Sequence, residues 1–220
     1  MQIGNIEFQS YPIILEPMED ITDISFRLVC KAMGADLMYT EFIASEGLIR
    51  DAGKSRAKLT FLPRERPIGI QIFGHDIESM VRATRIAEES EPDLIDINFG
   101  CPVKKVVSKG GGAALLTDIP KMTKMTEAVV RATHLPVTAK TRLGWDKKNQ
   151  TILEISERLQ DAGIKALTIH GRTRDQMYGG KADWTLIGEV KANPAMTIPV
   201  IGNGDVASPQ IALEMKERYG

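Results

Sequence analysis

The chain has 220 residues, 43% of them hydrophobic and 26% charged, and a formal net charge of −1 at pH 7. That is long enough for one large domain with a real core, in an ordinary globular composition without disordered or low-complexity stretches. No apolar run nears the ~20 residues of a membrane span and no leader pattern opens the chain, so a cytoplasmic protein is expected, and near-neutrality gives no case for a nucleic-acid partner from overall charge.

From the N-terminus, the first β-rich run is Pro12–Leu15, ending in Glu16-Pro17-Met18. A helical pattern over Phe26–Met33 holds Cys30 in its middle, where a thiol serves as a small hydrophobe, and Gly34 stops it. Strands follow at Asp36–Thr40 and Ile68–Ile72, the second carrying Gln71 among apolar neighbours. A primary amide both donates and accepts, so Gln71 suits the edge of a flavin or pyrimidine ring as well as a satisfied core position. After a helix at Ile77–Glu89, strand Leu94–Asn98 runs into Gly100-Cys101-Pro102. A thiol fixed there can act as acid or nucleophile, its reference pKa of ~8.5 open to tuning by nearby cations. The two cysteines form no CxxC pair and no disulfide framework. Gly110-Gly111-Gly112 fits no phosphate-cradling motif and is expected as a mobile loop over the site.

A helix at Pro120–Thr133, with Asp118 before its proline, leads to strand Val137–Thr141. Lys140 lies inside this apolar run, where a lysine is rarely left without a partner. It suits a cation facing an electron-rich cofactor ring, or a Schiff-base nucleophile; Arg142 follows it. A helix at Ile152–Ala162, stopped by Gly163, precedes strand Ala166–His170, which opens into Gly171-Arg172-Thr173-Arg174. No second histidine or carboxylate stands at ligand spacing, so no metal is expected. The last strand, Pro199–Gly202, runs into Asn203-Gly204-Asp205, and Ser208 with Pro209 starts a helix to Tyr219.

Seven strands alternating with helices fit a doubly wound sheet or a barrel. Chemically capable residues close nearly every strand, which favours the α/β TIM (β/α)8 barrel, whose sites are built at strand ends. About seven of eight β/α units are present, as one incomplete domain over residues 1–220. The loops after the fourth, fifth and sixth strands carry Lys104, Lys105, Lys109, Arg142, Lys147, Lys148, Arg172, Arg174 and Lys181 against Asp146, Asp175 and Asp183. A basic rim on a near-neutral protein points to a polyanionic substrate held through phosphates.

Taken together, the Pro17-Met18 with Thr22-Asp23, Gly69-Ile70-Gln71, Asp96-Ile97-Asn98-Phe99-Gly100-Cys101-Pro102, Lys140-Thr141-Arg142-Leu143-Gly144-Trp145, His170-Gly171-Arg172-Thr173-Arg174 and Asn203-Gly204-Asp205 segments resemble the bacterial tRNA-dihydrouridine synthases. The resemblance runs over the whole chain. It implies FMN held by Pro17, Met18, Gln71, Lys140, His170 and the Asn203-Gly204-Asp205 turn. It further implies NADPH or NADH as reductant, and a tRNA uridine contacted by Asn98, Arg142, Arg172 and Arg174. Cys101 would protonate C5 as hydride reaches C6. A monomer is expected, and the eighth strand and a helical tRNA-gripping domain are expected beyond Gly220. Glu16 departs from the pattern, standing where the family typically has alanine; beside an anionic ring a carboxylate is unfavourable unless it points away. The runners-up are a small-molecule FMN oxidoreductase of the dihydroorotate dehydrogenase type, a Schiff-base aldolase using Lys140, and a non-catalytic RNA-binding fragment.

Overall fold

A computed structural model describes residues 1–9 and 11–220. Two short strands, β1 (Gln2–Ile3) and β2 (Ile6–Glu7), pair as an antiparallel hairpin. The parallel segments that follow are β3 (Ile14–Leu15), β4 (Leu37–Tyr39), β5 (Ile43–Ala44), β6 (Ile68–Phe73), β7 (Leu94–Asn98), β8 (Val137–Arg142), β9 (Leu167–His170) and β10 (Val200–Asn203). They lie in the order β10-β9-β8-β7-β6-β4-β3, with β5 also on β6. Tyr39 pairs with Gly69 and Ile43 with Ile72, so β4 and β5 are one strand position carrying one extra residue. The seven expected strand positions are therefore present in sequential order, as in a TIM barrel with about seven of its eight units. The edges are β3 and β10, both half-buried.

Side chains alternate between the two faces of each strand. On β7, Ile95 and Ile97 join the large core between sheet and helices, along with Ile70 and Ile72 of β6, Val137 and Ala139 of β8, and Leu167 and Ile169 of β9. Helices Ile77–Glu88, Ile119–Ala132 and Ile152–Asp161 complete this layer with Met80, Met125 and Leu159. The opposite face turns into the barrel. Its lower part is apolar: Ile3 of the hairpin, Leu37, Tyr39, Leu94 and Ala166 form a second, smaller core. Above it the inner face becomes polar, at Asp96 and Asn98 on β7, Gln71 on β6, and Thr138 and Lys140 on β8.

The hairpin and the extra residue between β4 and β5 are the fold's departures from expectation. Two-residue strands are too short to show alternation. The glycine run differs too. Gly111 and Gly112 are buried, and Ala113 N donates to Cys101 O at 3.0 Å. Gly112 has φ +55°, and a Cβ there would lie 2.8 Å from Cys101 O. The run is therefore a packed support under the cysteine turn rather than a loop over the mouth, and glycine serves close backbone approach.

Candidate functional site

The register of the sheet brings the chemically capable residues to one place. Gln71 pairs with Asp96 and Asp96 with Thr138, while Asn98 pairs with Lys140, and Arg142 with His170. Asn203 in turn pairs with His170. Their side chains form two successive polar layers above the apolar floor of the barrel, and Cys101 sits on the turn directly above β7.

The deeper layer is a continuous hydrogen-bond thread. Thr138 Oγ1 donates to Asp96 Oδ1 at 2.6 Å, and Gln71 Nε2 donates to Asp96 Oδ2 at 2.7 Å. Gln71 Oε1 accepts from Asn98 Nδ2 at 2.7 Å. Asn98 Oδ1 accepts from the backbone N–H of both Gly100 and Cys101, each at 2.9 Å. Burial pushes the Asp96 carboxyl up to about 6, against the lowering effect of its two hydrogen bonds and of Lys140.

Lys140 Nζ donates to Asn203 Oδ1 at 3.2 Å and lies 3.9 Å from Glu16 Oε2. Burial lowers the Lys140 pKa; Glu16 opposes that shift and Arg142 adds to it. Glu16 thus points into the site, not away. Its stem is 16% exposed, but both carboxylate oxygens are sealed from solvent and accept no hydrogen bond. Burial raises its pKa to about 7, with Lys140 lowering it and Asp96 raising it. Near neutrality about half of this group is therefore a neutral acid, which eases the conflict with an anionic ring.

His170 is held as neutral imidazole: burial first, then Lys140, Arg142 and Arg172, bring its pKa down to about 3. Arg172 Nη1 approaches its Nε2 at 3.2 Å, and since a guanidinium only donates, Nε2 accepts and the proton resides on Nδ1. Cys101 is buried, and burial raises its thiol pKa despite lowering contributions from the Val103 backbone and Arg142. The thiol is therefore protonated at neutral pH, in the state a proton donor requires.

The arginines are placed less uniformly. Arg142 is buried and donates to the carbonyls of Gly100 at 2.7 Å, Met177 at 2.8 Å and Thr173 at 3.1 Å. It therefore clamps the cysteine turn to the loop after β9. Arg172 is also buried, bonded to Gly180 O at 2.8 Å and to both oxygens of Asp205 at 2.7 and 2.9 Å. Arg174 stacks over the Trp145 ring at 4.2 Å. The exposed basic rim is consequently Lys104, Lys105, Lys109, Lys147, Lys148 and Lys181, without Arg142 or Arg172. Met18 lies at the end of β3, its backbone N–H and C=O both bonded to Thr22 Oγ1 at 3.0 Å. Among the described residues the acids Glu19, Asp20 and Glu41 cluster closely enough for a cation, and Lys58 sits 2.5 Å from Glu19 and 3.9 Å from Glu41.

Asp96 and Thr138 are the participants that strand-end reading passes over, because they lie one layer below the ends. Their signal was the alternation in Leu94-Ile95-Asp96-Ile97-Asn98, which puts Asp96 on the same face as Asn98.

The residues fit a flavin. Lys140 has hydrogen-bonding capacity beyond Asn203, Gln71 and Asn98 each keep a spare N–H, and the sealed Glu16 carboxyl awaits a partner. This is a donor-rich set suited to the carbonyl-bearing edge of a ring that gains negative charge. No helix in the structure, among the described residues, is long and apolar enough to cross a membrane.

The family model for Dihydrouridine synthase matches residues 14–220. The tRNA-dihydrouridine synthase B of Pseudomonas aeruginosa is 39% identical over 208 residues, covering 94% of this chain and 62% of the relative. That of Xanthomonas campestris pv. campestris is 41% identical over 220 residues, covering 100% and 65%. A probable tRNA-dihydrouridine synthase of Rickettsia prowazekii is 38% identical over 221 residues, covering 100% and 67%. The chain thus spans about two thirds or less of the length of these relatives. Among solved structures, histamine dehydrogenase from Rhizobium sp. 4-9 superposes with a TM-score of 0.65 over 94% of this chain and 42% of that one, at 13% identity. That likeness concerns the fold.

Proposed function

This chain belongs to the dihydrouridine synthase family, and from that premise we propose that it carries the site that reduces the C5=C6 bond of a tRNA uridine to 5,6-dihydrouridine. The observation that carries the reading is the Cys101 thiol: buried, held protonated, and fixed on a turn clamped by Asn98 from below and Arg142 from the side. The C4 carbonyl polarises the uracil double bond, so hydride adds at C6 and C5 needs a positioned proton. Bound FMN, recharged by NADPH or NADH, would supply that hydride.

The remaining work falls to the chain's own residues. Lys140 offers positive charge where the ring gains electrons. Gln71, His170 and the Asn203-Gly204-Asp205 turn, with Pro17 and Met18, line the cofactor position. Asn98 orients the uracil, and Cys101 Sγ delivers its proton to C5 and is reprotonated from solvent. Arg142 and Arg172 act through the loops they brace, and Arg174 on Trp145 meets the RNA at the rim. The exposed lysines attract its phosphates, a salt-sensitive contribution. The target uridine must leave the stacked tRNA to reach this depth.

The test is a dihydrouridine assay on unmodified tRNA with the purified protein, FMN and NADPH. Flavin absorbance with uridine-dependent NADPH oxidation is expected. A colourless protein whose Lys140 is trapped by borohydride in the presence of a carbonyl substrate would overturn the reading.

A further inference from the structure

The thread from Asp96 to Cys101 has a polarity that can be read from either end. Backbone N–H groups only donate, so Gly100 and Cys101 force Asn98 to show them its oxygen. Asn98 then turns its nitrogen to Gln71, and Gln71 turns its nitrogen to Asp96, an acceptor-only group when ionised. Reading from Asp96 upward gives the same two amide orientations. No flip of Gln71 or Asn98 is possible without breaking at least two bonds in the barrel interior.

We propose that Asp96 is the positioning residue of this site: through Gln71 it fixes the amide of Asn98, and that amide holds the Cys101 turn. Both lone pairs of Asn98 Oδ1 are taken by backbone donors, so Asn98 has only an N–H to offer the mouth. The ligand atom that meets it must therefore be an acceptor, as the ring carbonyls of uracil are and the amino group of cytosine is not. Asp96 is buried and lies a layer below the mouth, so it acts through its neighbours and not by contact with a ligand. The proposal rests on the functional reading above only in treating Cys101 as the working group.

The decisive measurement needs neither cofactor nor RNA. Alkylation of Cys101 by iodoacetamide is followed by peptide mass spectrometry, with half-buried Cys30 as the internal control. Asp96→Leu leaves Gln71 without its acceptor; losing a buried bond of this kind is worth roughly tenfold in an opening equilibrium, so Cys101 alkylation should rise by about that factor while Cys30 is unchanged. Asp96→Asn keeps an oxygen for Gln71, and Thr138 can turn its hydroxyl to accept, so its rate should stay within about twofold of the parent. If Asp96→Leu does not fold, Gln71→Met cuts the same thread one link further along and gives the same readout. Equal alkylation rates in parent and cut-thread variants, or a rise in Asp96→Asn matching that in the cut-thread variant, would overturn the proposal. In the tRNA assay, the cut-thread variant should lose kcat with KM for tRNA little changed, since phosphate contacts are remote from the thread; an unchanged kcat, or a loss confined to KM, would also overturn it. A parent that makes no dihydrouridine would sink the functional reading, while the alkylation rates still decide the thread.

Discussion

The Glu16 carboxylate lies 3.9 Å from the Lys140 ammonium, and neither of its sealed oxygens accepts a hydrogen bond. Two opposite charges that approach without bonding recover little of their dehydration cost, so the acid keeps its proton up to about pH 7.

This predicts a stability signature. The folded chain binds a proton on Glu16 that the unfolded chain releases near pH 4.5, so stability falls as pH rises from there to about 7. Asp96, raised to about 6, adds a slope of the same sign. Glu16→Gln mimics the neutral form and should stabilise the protein more at pH 8 than at pH 5, by on the order of 3 kcal/mol. Urea unfolding midpoints of parent and variant at the two pH values measure the difference; an equal gain at both would refute the buried-acid assignment.

Cys101→Ala removes the proposed proton donor without opening a large cavity. Flavin absorbance and reduction by NADPH should persist, while dihydrouridine formation falls by ~10²-fold or more. Full turnover in this variant would take Cys101 out of the chemistry.

Arg27 and Glu65 form a buried ion pair at 2.6 Å, and Arg27 also donates to Thr22 O at 2.7 Å and Thr60 O at 3.2 Å. Arg27→Met strands the Glu65 charge and should cost ~3–5 kcal/mol by chemical denaturation. Adding Glu65→Gln should restore part of the loss. Because Arg27 holds Thr22 and Thr22 holds the Met18 backbone, weaker flavin retention than in the parent is expected of both variants.

Gly202 lies under the Trp184 ring, where an added Cβ would stand 1.9 Å from Cζ3. Gly202→Ala should displace the indole and cost ~1–3 kcal/mol. Trp184 Nε1 donates to Gly204 O at 3.0 Å, so the shift reaches the Asn203-Gly204 turn. An altered tryptophan emission spectrum with a lower urea midpoint is the expected result.

Much of this was legible in the residues. The central strands are long enough to alternate, and Leu94–Asn98 is found with the bounds its pattern implies. Cys101, Lys140, Gln71 and Asn98 announced themselves as polar groups in apolar company, and the sheet register gathers them. What the pattern could not show was partnership. Arg142 and Arg172 read as surface charge, because nothing local reveals that the distant carbonyls of Gly100 and Met177 and the carboxylate of Asp205 would claim their donors. The inward turn of Glu16 was hidden for the same reason: its orientation depends on Lys140, over a hundred residues away. The triple glycine misled because a tight backbone approach and a flexible loop ask for the same residue.

The extra residue between Tyr39 and Ile43 acts as a parity switch. Counted by twos from Leu37 and Tyr39, which face the barrel interior, Ile43 would also point inward; instead it joins the outer core beside Ile72. Loop length at Thr40–Phe42 is therefore quantised. Removing that one residue would restore unbroken alternation and keep Ile43 opposite Ile72 on the helix side, whereas removing two would send Ile43 into the barrel and turn its neighbours out from under the helix at Ser45–Ile49.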